Sequence, residues 1–300
     1  MRCNKTWNSF VFFMPCDLIS RLRRRILMKK ILLIGLLLLI GCGGKVGKVR
    51  EPSPLITHMG ASTVALMATK GDNARPYCTG VWVSKDVILT ANHCVEAAWE
   101  MELEKKIDKL DPSEQEAAIK RYQEMSHSER QGLVVEGTPI RYIVEGDVDE
   151  IGKPPFAIRL GVVLAVSPSH DLALVEASGR NLPAHDIAYV GDENPAIGER
   201  VSVVGQVKGL YWTYVEGTVA QYRNDIPERL KPVSEVNEIG FVGPYLQVSA
   251  PVWYGNSGGG AFDMDGHLVG IASFMTGAPH SCYFIHADVI RAMLAKHMIQ

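Results

Sequence analysis

Three short stretches of this chain hold residue types able to act on one another. They are "VILTANHCVEA", which contains His93, "SPSHDLALVEA", which contains Asp171, and "SAPVWYGNSGGGAF", which contains Ser257. A serine hydroxyl is a weak nucleophile at neutral pH and needs an adjacent base. Histidine titrates in the useful range, and a carboxylate can bond its other ring nitrogen, hold one tautomer and stabilise the imidazolium. Four glycines crowd Ser257. Glycine serves where a backbone needs φ > 0 or must lie close to another group, so this serine is either a loop residue or a nucleophile held out to a substrate. Taken singly, a histidine after a strand and an aspartate opening one are both common in structural roles.

The elements that must position these residues read as short β-branched runs broken by glycine. The first set is "STVALMA" at 62–68, "TGVWVS" at 79–84, "DVILTA" at 86–91, "YIVEG" at 142–146, "AIRLGVVLAV" at 157–166 and "DLALVEA" at 171–177. The second is "RVSVVGQ" at 200–206, "TYVEGTVAQY" at 213–222, "YLQVSA" at 245–250 and "HLVGIAS" at 267–273. In "HADVIRAMLAKHM", 286–298, the apolar residues Val289, Ile290, Met293 and Leu294 recur at helical spacing. Two groups of strands and a terminal helix predict an all-β fold of two packed barrels. Residues 96–130 break the pattern. Trp99, Leu103, Ile107 and Leu110 share a helix face, and "DPSE" at 111–114 restarts a helix with an Asp cap, Pro at the first position and Glu at the third. A helical hairpin inserted between strands is expected, as a surface insertion or as a lid.

The formal net charge of the 300 residues is −2, unevenly placed. Residues 1–41 hold eight Lys/Arg and one Asp, so the remainder carries 23 basic and 32 acidic residues, a net charge of −9. So acidic a body is a poor partner for nucleic acid, whose binding depends on neutralising phosphate. Lys29 and Lys30 precede the eleven-residue apolar run "ILLIGLLLLIG", long enough for a signal segment and short for a membrane span. Met28 stands where such a signal would begin. The run ends in "LIGC", which resembles a bacterial lipobox with Cys42 as the lipid-bearing residue; the alternative is an apolar helix with a chance cysteine. Residues 1–41 are thus read as extension and signal, 42–58 as a flexible tether, and 59–300 as the folded domain.

The ordered set "TANHC", "HDLAL" and "GNSGG" resembles the chymotrypsin-like serine peptidases, most closely the bacterial Deg/HtrA type, over residues of about 60 to 298 outside the helical insertion. The resemblance implies two packed six-stranded antiparallel β-barrels and a catalytic triad of His93, Asp171 and Ser257. The amides of Gly255 and Ser257 would form the oxyanion hole, and Ser273 in "GIASFM" matches the serine that backs the aspartate, unless it is a plain strand serine. Cys78 and Cys94 match a disulfide around the base, worth roughly 3 kcal/mol, with the reduced pair as the alternative. Cys282 is left alone and expected to be buried. His170, on what reads as an extended strand, should point away from the face Asp171 uses. No metal-ligand spacing is present, and no cofactor is expected.

Departures from the digestive branch matter too. Where those enzymes carry an aspartate that pairs with a new N-terminus, this chain has Asn256, so no activation cleavage is expected. The sequence ends at Gln300 without the PDZ segment common in Deg-type relatives, so no control through one is expected. The position six before the serine, which selects basic side chains when acidic, is Pro251. With Val252, Phe274, Met275 and Cys282 it implies a shallow apolar pocket and cleavage after Ala, Val, Leu or Met. The implied activity is a serine endopeptidase acting on protein or peptide substrates, lipid-anchored in the bacterial envelope and facing the periplasm in a diderm. A barrel that binds proteins without turnover is the competing reading, which an intact triad argues against.

Overall fold

The computed structural model describes residues 51–70, 73–126, 129, 137–144, 158–177, 185–225, 242–276 and 281–299. The sequence expectations on Cys42 and on the whole signal segment lie outside them. Among the described residues no helix is long and apolar enough to cross a membrane.

A short helix comes first. α1, Pro54–Ala61, is capped by the Ser53 hydroxyl, which accepts from the Ile56 N–H, and opens with proline at its first position. It starts inside the stretch 42–58 read as tether; the Ser-Pro pair is a helix-start signal that the glycine-rich composition around it hid.

Six strands follow: β1 Thr63–Lys70, β2 Asn73–Trp82, β3 Val87–Ala91, β4 Pro139–Val144, β5 Arg159–Ser167 and β6 Leu172–Ala177. They close a barrel in the order β1-β2-β3-β6-β5-β4. Its interior is apolar, with Val64, Leu66, Trp82, Ile88, Tyr142, Val163 and Val175. The second barrel has the order β10-β11-β12-β9-β8-β7. Its strands are β7 Arg200–Val207, β8 Leu210–Arg223, β9 Tyr245–Ser249, β10 Gly260–Phe262, β11 Leu268–Met275 and β12 Cys282–His286. All pairings within both barrels are antiparallel, as expected. β10 escaped the sequence reading because three residues beside a glycine cluster are too few to show alternation.

Strand β3 is buried along all five residues. Alternate side chains explain this: Ile88 faces the first barrel's interior, and Val87 and Leu89 face a second core between the barrels. That shared core also takes Val81, Leu172 and Leu174 from the first barrel and Phe262, Ile271, Tyr283 and Ile285 from the second. The terminal helix α4, Ala287–Lys296, seals it with Ile290, Met293 and Leu294. Its cap is the His286 ring, whose Nδ1 accepts from the Asp288 N–H.

The inserted hairpin is present as α2, Asn92–Ile107, and α3, Pro112–Glu124. As read from the sequence, Asp111 caps α3, accepting from the Ser113 and Glu114 N–H groups. The first turns of α2 are part of the barrel, burying Cys94, Val95 and Ala98, whereas α3 buries none of its residues. Glu102 ties α2 to β4 through Arg141.

Candidate active site

Strand register brings a base and its orienter together. In the β3–β6 pair, Ala91 lies opposite Leu172. His93 follows Ala91 by two residues and Asp171 precedes Leu172 by one, so they meet where the strands end. The Asn92 N–H bonds the Asp171 carbonyl at 3.0 Å. The His93 backbone N–H donates to Asp171 Oδ1 at 3.0 Å, and ring Nδ1 lies 3.1 and 3.0 Å from the two carboxylate oxygens. A carboxylate only accepts, so Nδ1 carries a proton, and in the neutral ring Nε2 keeps its lone pair. The Ser273 hydroxyl donates to Oδ2 at 2.5 Å. Asp171 is only 1% exposed; these three donors make a buried carboxylate tolerable.

Asp171 is not on a strand. It takes a left-handed φ of 52° after the 3₁₀ turn Pro168–His170, and β6 opens at Leu172. This corrects the strand placement of His170 as well. Its Nδ1 sits 3.1 and 3.2 Å from the Ser167 and Ser169 hydroxyls, so a local turn, not strand alternation, occupies that ring. Aspartate tolerates the left-handed region better than most residues, which lets the chain reverse there and aim the carboxylate at His93.

Burial favours the neutral His93 ring, but the charge and hydrogen bond of Asp171, with Glu96 nearby, outweigh it and hold the pKa above its ordinary value. The His93 side chain remains 30% exposed.

The serine loop is pinned from behind at four successive carbonyls. The Lys208 N–H bonds the Tyr254 carbonyl at 2.9 Å, and the Gly259 N–H bonds the Asn256 carbonyl at 2.8 Å. The buried Thr79 hydroxyl donates to the Gly255 carbonyl at 2.7 Å, and the Thr79 N–H to the Ser257 carbonyl at 2.8 Å. A trans peptide points its N–H opposite its C=O. Anchoring the Tyr254 carbonyl therefore orients the Gly255 N–H, and anchoring that of Asn256 orients the Ser257 N–H. Among the described residues neither N–H donates to a protein acceptor. Glycine is required here: a Cβ on Gly255 (φ 100°) would lie 1.8 Å from the Gln206 carbonyl oxygen, and one on Gly258 (φ 81°) 2.1 Å from the Thr90 hydroxyl.

Ser257 is carried to the same place by β11. The Gly258 N–H bonds the Ala272 carbonyl, and the Ala272 N–H bonds that of Gly259, each at 2.8 Å, next to Ser273. The Ser257 carbonyl oxygen lies 3.5 Å from Cys94 Sγ. His93, Asp171 and Ser273 are thus joined directly, while Ser257 reaches them through its backbone. Its hydroxyl makes no hydrogen bond to His93 among the described residues.

Cys78 and Cys94 form a disulfide, with Cα atoms 6.0 Å apart. Their sulfurs lie close to His93 but, being oxidised, offer no thiolate to a metal. A second group of ligand types, Asp263, Asp265 and His267, closes the β10–β11 turn, where the Asp263 carboxylate accepts from the backbone of the other two. Cys282 is buried, 3.5 Å from the Ala250 carbonyl, and burial pushes its thiol pKa up.

The pocket candidates divide. Val252, Met275 and Cys282 meet in the apolar cluster inside the second barrel. Phe274 turns to the shared core and stacks on Tyr283 at 4.9 Å. Pro251 is exposed. Asn256 is fully buried, where an ionised side chain would be costly. Its side chain explains Gly205, where a Cβ would lie 2.2 Å from Asn256 Oδ1. Sequence reasoning missed Thr79 and Lys208. A threonine in a β-branched run and a lysine at a hairpin tip look like any others; only the docking of the serine loop onto them gives them a role.

A family model described as a trypsin-like peptidase domain matches residues 78–271. A probable periplasmic serine endoprotease, DegP-like, of Brucella suis biovar 1 is 34% identical over 115 residues, covering 36% of this chain and 19% of that protein. A serine protease, HtrA-like, of Staphylococcus aureus is 28% identical over 123 residues, covering 40% of this chain and 16% of that protein. The chain thus spans under a fifth of the length of these relatives. Among solved structures, the active form of the Rv3671c protease from M. tuberculosis has the same fold, with a TM-score of 0.53 and 17% identity, covering 81% of this chain and 83% of that one.

Proposed function

We propose that this chain, which belongs to the trypsin-like peptidase family, is a serine endopeptidase of the bacterial cell envelope. The observation that carries the reading is the buried Asp171 carboxylate, bonded at once to the His93 ring and the Ser273 hydroxyl, beside a serine loop with two uncommitted amides.

In the proposed reaction His93 Nε2 takes the proton of the Ser257 hydroxyl as that oxygen attacks a peptide carbonyl. The Gly255 and Ser257 N–H groups receive the oxyanion, and His93 then passes its proton to the leaving amine. Asp171 keeps the ring in one tautomer and stabilises its charged form, and Ser273 holds Asp171. A single oxyanion donor is worth on the order of 3 kcal/mol of transition-state stabilisation. Water attacks the acyl-enzyme by the same path. Val252, Met275 and Cys282 line an apolar pocket, so cleavage follows small or medium apolar residues. Cys42 carries a lipid anchor, and the tether 42–53 joins it to α1; the periplasmic label of the Brucella relative is in keeping with that location.

The test is covalent labelling of Ser257 by a fluorophosphonate together with hydrolysis of peptides bearing apolar residues. Ser257→Ala and His93→Ala should each abolish hydrolysis while leaving the fold intact, and the double variant should lose no more than either single one. Hydrolysis that survives Ser257→Ala would refute the assignment.

A further inference from the structure

Three residues before Ser257 the chain exposes two aromatic side chains, Tyr254 at 70% and Trp253 at 44%. Two adjacent aromatic rings this open form a contiguous apolar patch beside the proposed reactive centre. Their rings meet edge to face at 5.6 Å. Lys208, exposed at the tip of the β7–β8 hairpin, sets its Nζ 4.9 Å over the Trp253 ring. The hairpin is held there by the Lys208–Tyr254 backbone bond and by a left-handed φ of 48° at Lys208. Among the described residues no carboxylate pairs with this ammonium group. The result is an ordered, unpaired cation on an aromatic ledge, in a body of net charge −9.

Its side of the site follows from the proposed chemistry. His93 must protonate the leaving amine, so the leaving segment runs past His93, whose neighbour Cys94 is bonded to Cys78 of β2. The β7–β8 tip lies against the same strand: a Cβ on Gly209 would lie 4.0 Å from Pro76 Cγ.

We infer that Lys208, with Trp253 and Tyr254, is a specificity determinant that favours a carboxylate side chain, Asp or Glu, within the first two residues after the scissile bond. The aromatic faces cover the side-chain stem and the ammonium group pairs with its charge. This rests on the endopeptidase reading. A solvent-facing pair is weak, so the preference should be about two- to fivefold.

The test uses matched peptides with an apolar residue before the cut and Asp, Glu, Asn or Lys at each of the two following positions, comparing kcat/KM. The wild-type protein should favour Asp and Glu by that factor, less so in high salt. Moving the acid to the acyl side should bring no gain. Lys208→Glu keeps the backbone N–H that holds Tyr254 and should invert the ratio, whereas Lys208→Met should flatten it. Ratios are read within each variant, so a general loss of rate does not obscure them. Equal wild-type rates, or a preference unmoved by Lys208→Glu, would overturn the ledge while leaving the endopeptidase reading intact. Absence of both hydrolysis and Ser257 labelling would overturn the two together.

Discussion

At His93 two effects of opposite sign meet, and the larger decides the pH behaviour. Burial works against the charged ring, but Asp171 overrides it, so the folded pKa lies above the ordinary value of 6.5. The stability that this contributes is complete below the unfolded pKa and is lost as pH rises through the raised folded one. In the proposed mechanism activity runs the other way, because only the neutral ring could take a proton from Ser257. The acid limb of kcat/KM should therefore sit above 6.5 in the wild type. In Asp171→Asn that limb should move down, kcat at neutral pH should fall roughly 10⁴-fold, and the pH-dependent stability in that window should disappear. Kinetics and urea melts between pH 5 and 9 check all three. A limb that stays in place would show that Asp171 does not govern the ring.

Among the elements, helix α2 serves two purposes along its length. Its first two turns carry His93 and bury Cys94, Val95 and Ala98 in the first barrel; its far end leads out to α3, which buries nothing. Replacing residues 108–125 by a short Gly-Ser loop should change stability by no more than about 0.5 kcal/mol and leave peptide turnover within twofold of the parent. Ala98→Asp, in the same hairpin but facing the barrel, should cost at least about 2 kcal/mol. Thermal melts and peptide assays on both variants separate the passive part from the structural one. A large change in selection among folded protein substrates after trimming would instead make the hairpin a gate.

For the whole molecule, the two barrels are coupled through one residue as much as through their shared core. Thr79, on β2 of the first barrel, holds two carbonyls of the serine loop of the second. The first barrel thus fixes the Gly255 and Ser257 carbonyls of the serine loop, while the carbonyls that orient the proposed oxyanion amides are held within the second. The proposed envelope location rests on the segment before the folded domain. Cys42→Ser should release the protein from the membrane fraction or block signal processing, since stable anchoring needs more than one acyl chain. Fractionation with gel mobility checks this, and unchanged membrane association and processing would remove the lipobox from the account.

What the sequence determined alone is local or chemically exclusive. "DPSE" specified the start of α3 because a capping side chain acts within three residues. The β-branched runs specified strands because alternation is a property of neighbours. "TANHC", "HDLAL" and "GNSGG" were legible because few residue types can supply a base, its orienter and a tight serine turn in that order. What only the tertiary structure decided is whatever depends on approach between distant segments. The Ala91–Leu172 register sets His93 beside Asp171, and Ser273 earns its role only because β11 lies against that turn. The split of Phe274 from Val252, Met275 and Cys282 follows from which face of a twisted strand each occupies. Thr79 and Lys208 had no signal, because the Lys208 bond to the serine loop is a backbone one that any residue could make, and the Thr79 hydroxyl finds its carbonyl only when distant segments dock.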